Sequence, residues 1–166
     1  MICERDYQFD VNNVINGLDN RTTFMIRNIP NKYTQAMLME CIDSTHKGTY
    51  DFLYLRIDFK HKCNVGYAFI NFINARSVIS FFEQKAGKLW SRFNSEKKCE
   101  LSYAKIQGKV NLINKFRNSV VMEQDLSYRP KIFYSYGPRK GEEEVSITLL
   151  QKKKKKRIDL TLIPLI

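Results

Sequence analysis

The chain has 166 residues and a formal net charge of +11, a length suited to one domain with flanking segments and a balance that favours a polyanionic partner, most commonly RNA or DNA. The excess lies largely in residues 21–137, with 19 basic against 9 acidic side chains. Cys3, Cys41, Cys63 and Cys99 form no Cys-x-x-Cys pair, and His46 and His61 are the only histidines. The expected zinc spacing is therefore missing, and no run approaches the ~20 apolar residues of a membrane span.

Residues 1–20 are polar and weakly patterned and read as a flexible lead-in. Glu4, Arg5 and Asp6 interrupt any apolar opening, so no signal peptide is expected. A first strand is predicted from Thr22 to Ile29, stopped by Pro30. Thr34 then caps a helix running to about Asp43, with Leu38, Cys41, Ile42 and Thr45 on its buried face. Asp51 to Asp58 alternates as a strand does, placing Leu53, Leu55 and Ile57 on one side and Phe52, Tyr54 and Arg56 on the other.

A basic loop holding Lys60, His61 and Lys62 leads to a strand at Tyr67–Phe72. Asn74 caps a second helix that buries Ala75, Val78, Ile79 and Phe82, and Gly87 ends it. A fourth strand follows near Cys99–Ala104. A third helix is predicted from Gly108 or Lys109 to about Asn118, with Ile106, Val110, Ile113 and Phe116 as its apolar stripe. Residues 21–137 thus form the predicted domain. From Pro138 the composition shifts to like-charge blocks, and 138–166 reads as a disordered charged tail.

The order β-α-β-β-α-β predicts a ferredoxin-like α+β fold, a four-stranded antiparallel sheet with two helices on one face. The other face must be solvated, covered or used. Val65-Gly66-Tyr67-Ala68-Phe69-Ile70-Asn71-Phe72 fits the octapeptide of the RNA-recognition motif at all but its first position, where a basic residue is usual. Alternation sends Ala68, Ile70 and Phe72 to the core and Tyr67 and Phe69 to the open face, where bases of single-stranded RNA can stack on them. On the first strand, Phe24 and Ile26 face the core. Met25 and Arg27 then share the open face, Met25 standing where an aromatic is usual.

Arg27 and Arg56 are placed to supply the phosphate contact that Val65 lacks. Tyr54, Lys60, Lys62 and Lys105 complete the candidate RNA-binding set. Two histidines and scattered carboxylates offer no acid–base or nucleophile constellation. The chain is therefore read as no enzyme, with no cofactor, no metal and no small-molecule substrate. The rival reading is a protein–protein interaction module on the same fold with its sheet face covered. The third helix bears on this choice. It could lie across the open face over Tyr67 and Phe69, or pack at the edge and enlarge the RNA surface.

Longer runs carry a closer likeness. They are Arg21–Thr34, Gly48–Leu55, Asp58–Lys60, Cys63–Phe72, Trp90, Phe93–Lys97 and Tyr103–Gly108. Together they resemble the C-terminal RNA-recognition domain of the Mei-two-like proteins, meiosis regulators of fungi and their plant relatives. The resemblance implies RNA binding, a eukaryotic source and a third helix belonging to the domain, and both Met25 and Val65 fit it. Free thiols suit an intracellular setting, nucleus or cytoplasm.

Overall fold

The computed structural model describes residues 4–144. Strands β1 (Thr23–Arg27), β2 (Tyr50–Asp58), β3 (Cys63–Phe72) and β4 (Glu100–Tyr103) form an antiparallel sheet. A short fifth strand, β5 (Lys131–Ile132), extends it to the order β4-β1-β3-β2-β5. Helices α2 (Gln35–His46) and α3 (Ala75–Lys85) follow β1 and β3. Thr34 accepts from Met37 N–H at 3.2 Å and Asn74 from Arg76 N–H at 2.8 Å, so both expected caps form.

The main core is the one that alternation predicts. Phe24, Ile26, Leu53, Leu55, Ala68, Ile70 and Phe72 meet Leu38 and Ile42 of α2 and Val78 and Phe81 of α3. Two helix faces are turned by one position from expectation. His46 is buried in place of Thr45, and Phe81 in place of Phe82. Phe82 is instead half-covered by Phe9, whose ring lies 4.5 Å away.

That contact belongs to the segment read as a loose lead-in. Asp10 caps a short helix, α1 (Val11–Ile15), and Phe9 packs between Phe24, Phe82 and Tyr103. Tyr7 also packs against the core and Val14 is buried, so three apolar side chains dock an otherwise polar segment at the α3–β4 edge.

The far end also differs from expectation. Residues 138–144 turn back on β5, with Tyr134 N–H donating to the Glu142 carbonyl at 2.9 Å and Glu144 N–H to that of Ile132 at 2.7 Å. Lys131 and Glu143 form an ion pair at 2.9 Å. The domain therefore runs at least to Glu144. The Lys152–Arg157 block lies outside the described residues.

β5 covers only Phe52 and Leu53 of the outer edge of β2. The next exposed donor, Leu55 N–H, is satisfied by Gln35 Oε1 at 2.9 Å, while Gln35 Nε2 donates to the Arg129 carbonyl at 2.6 Å. One buried amide thus ties α2, β2 and the C-terminal segment together.

Candidate nucleic-acid interface

Register brings the open-face residues into two rows. Across β4, β1, β3 and β2 the first row is Ser102, Met25, Phe69 and Tyr54. In the second, Glu100 stands opposite Arg27. Tyr67 and Arg56 continue it, the guanidinium donating to the Tyr67 hydroxyl at 2.7 Å. The Tyr67 and Phe69 rings are 5.8 Å apart, nearly perpendicular, and both half-buried. Neither lies in the cluster that α2 and α3 cover.

The glycine between Val65 and Tyr67 has a local cause. Leu55 pairs with Ala68 and Ile57 with Asn64, so β3 carries a bulge opposite Arg56. Gly66 takes φ +98° within it, a region that side chains avoid. Asn64 fixes the other end. Its Oδ1 accepts from Gly66 N–H at 2.8 Å, and its Nδ2 donates to the carbonyls of Pro30 and Tyr33, each at 2.9 Å. The bulge and the β1–α2 loop are therefore one unit.

The third helix, α4 (Lys109–Phe116), takes neither of the two anticipated positions outright. It lies over the β2 side of the open face. Leu112, Val121, Met122 and Ile132 bury Phe52 and Tyr54 in a second apolar cluster, with Phe69, Ile113 and Phe116 at its border. Phe116 sits 4.8 Å from the Tyr54 ring and 6.1 Å from that of Phe69. Val110, expected on the apolar stripe, is 70 % exposed, and Leu112 replaces it.

Tyr54 is therefore a correction. It faces the predicted side but is only 5 % exposed. Burial raises its phenol above the usual range, with Tyr67 pushing the same way and Arg56 opposing.

Gln107 anchors the start of α4. Its Oε1 accepts from the N–H groups of Thr22 and Thr23, and its Nε2 donates to the carbonyls of Thr23 and Ala104. Thr23 Oγ1 takes the Gly108 N–H and donates to Asn71, which in turn donates to Asp51. None of this network was read as functional in the sequence. Its signal was that Thr22, Thr23, Asp51, Asn71, Gln107 and Gly108 all lie in the runs that carry the family resemblance.

The remaining predicted residues divide plainly. Met25 is half-buried beside Phe69, and Arg27 is exposed. Lys60 and Lys62 stand exposed on the β2–β3 loop and Lys105 just beyond β4, so all three border the face without joining its rows. Arg27, Lys60, Lys62 and Lys105 form no ion pair among the described residues. The loop is shaped by Asp58, which accepts from the His61 ring at 2.6 Å and from Lys60 N–H at 2.9 Å. The His61 bond holds its carboxyl below the usual range. Among the described residues no group of His, Cys, Asp or Glu is gathered to hold a metal, and no helix is long and apolar enough to cross a membrane.

Residues 21–117 match the family described as RNA recognition motif 2. Meiosis protein mei2 of Schizosaccharomyces pombe is 62% identical over 135 residues, covering 81% of this chain and 18% of that protein. Protein MEI2-like 4 of Oryza sativa is 55% identical over 141 residues, 85% of this chain and 14% of that protein. For Protein MEI2-like 1 of Arabidopsis thaliana the figures are 55% over 138 residues, 83% and 15%. The chain thus spans less than a fifth of the length of these relatives. Among solved structures, the Rna15 RRM is 19% identical with a TM-score of 0.44, covering 52% of this chain and 92% of that one.

Proposed function

The chain belongs to the Mei2-type RNA recognition motif 2 family, and from that premise we propose that it binds single-stranded RNA on the part of the sheet that α4 leaves open. The observation that carries this reading is the Tyr67–Phe69 pair. The two rings are half-exposed, 5.8 Å apart, on a face bordered by cations that form no ion pair among the described residues. A structural role alone would draw such rings under α4, as it does Phe52 and Tyr54.

Bases stack on Tyr67 and Phe69, with the Met25 thioether as a softer apolar neighbour. Arg27, Arg56, Lys60, Lys62 and Lys105 meet phosphates and fix the strand's path. The protein acts where RNA is handled, in nucleus or cytoplasm, as a binding module and not as a catalyst. Anisotropy titrations with labelled single-stranded and duplex RNA test this on the full chain and on residues 1–144. Single strands should bind more tightly than duplexes, and the shorter chain should keep most of the affinity. Loss of nearly all binding on shortening would move the activity to residues 145–166.

A further inference from the structure

Beside Phe69, the sheet face opens into a cleft of about 620 Å³ between the β2–β3 end and the segment after α4. That size lies within the roughly 300–1,000 Å³ typical of ligand sites. Phe69 and Phe116 form one wall, and Val65 and Val120 flank the opening, 43 % and 62 % exposed. Arg56 and Lys115 stand at its rim, and Lys115 has no ion-pair partner among the described residues.

We infer that this cleft is a further base-binding site for the same RNA strand, beyond the Tyr67–Phe69 platform; the inference rests on the reading above. Three observations lead here. The rings continue without a gap, 5.8 Å from Tyr67 to Phe69 and 6.1 Å from Phe69 to Phe116. Arg56 and Lys115 outnumber the one acid of the lining, Asp58, whose carboxylate is held by the His61 ring and the Lys60 N–H, and this balance suits a phosphate on either side of an inserted base. The first octapeptide position is usually basic but here is Val65, whose apolar side chain lines the cleft. An apolar residue there loses a phosphate contact and gains a wall for a base. Apolar walls with a charged rim, joined to a stacking platform, fit a nucleobase better than a peptide helix, which needs a longer trough.

The test uses methyl-labelled full-length protein and a random-sequence pool of eight-nucleotide RNA. On addition of the pool, the methyl resonances of Val65 and Val120 should shift together with the Tyr67 and Phe69 ring signals. Val120 is exposed, so Val120→Glu and Val120→Lys can both be made without disturbing the core. Each should weaken binding about fivefold or more, because either charge spoils an apolar contact with a base. Unchanged or tighter binding by Val120→Lys, or silent Val65 and Val120 methyls while Tyr67→Ala still weakens binding, would overturn the cleft and leave the platform standing. No RNA binding by the unmodified protein would remove both.

Discussion

Arg56 donates from Nη1 to the Tyr67 hydroxyl at 2.7 Å, across the bulge that sets β3 against β2. The bond holds the ring half-exposed while leaving the guanidinium's other donors available for phosphate. Tyr67→Phe removes the bond and keeps the stacking surface, so RNA affinity should change by less than about 1 kcal/mol. Tyr67→Ala removes the ring and should cost about 1–3 kcal/mol. Titrations of the two variants side by side check the difference. Equal losses would assign the effect to the hydroxyl.

Phe116 lies against Phe52, Tyr54 and Phe69 at 6.0, 4.8 and 6.1 Å. It is half-buried, so Phe116→Ala should cost about 2–3 kcal/mol, below the 3–5 kcal/mol of a fully buried ring. Urea unfolding measures this. A cost near zero would mean that α4 is not held against the sheet.

Gly66 and Ile70 should fail for different reasons. A Cβ added at Gly66 meets nothing within 4 Å, so the obstacle there is not crowding but φ +98°. Gly66→Ala should cost about 1–2 kcal/mol from backbone strain. Ile70 is fully buried, and Ile70→Ala should cost about 2–5 kcal/mol. Thermal melts of the two variants test both the bulge and the face assignment.

What was legible in the sequence follows from period and length. Two-residue alternation placed the apolar core residues of β1 and β3 correctly, but gave no sign that Thr23, Asn64 and Asn71 are buried as well. It misread β2, where Phe52, Leu53, Tyr54 and Leu55 are all buried. A strand apolar on both sides needs cover on both, and that was the available signal for where α4 would settle. Docking of the N-terminal segment by Tyr7, Phe9 and Val14 depends on partners far away in the chain, and the return of residues 138–144 rests on backbone bonds and ion pairs to 131–134 and Lys109; neither leaves a periodic pattern in its own segment.

His46 gives the fold a pH dependence. It is buried between Thr45 and Ser80, each at 2.7 Å from a ring nitrogen. Burial, with Lys85 adding to it, lowers its pKa from the usual 6.5. The unfolded chain therefore takes up a proton before the folded one does. Stability is complete above about pH 7 and declines as pH falls from 6.5 to the lowered folded value, then levels off. Urea midpoints from pH 8 to 5 should follow this course, and His46→Asn should flatten it. A midpoint that rises on acidification would reverse the assignment.

The most direct test of the central claim is a salt series on the Tyr67→Ala/Phe69→Ala double variant. Three to five phosphate contacts by Arg27, Arg56, Lys60, Lys62 and Lys105 give a slope of log affinity against log salt of about −2 to −3.5, at roughly 0.7 per contact. Stacking releases no counterions. The double variant should therefore lose about 2–6 kcal/mol of affinity at every salt concentration with its slope unchanged, and Arg27→Ala should instead make the slope shallower by about 0.7. Undiminished affinity in the double variant would contradict recognition by the sheet face.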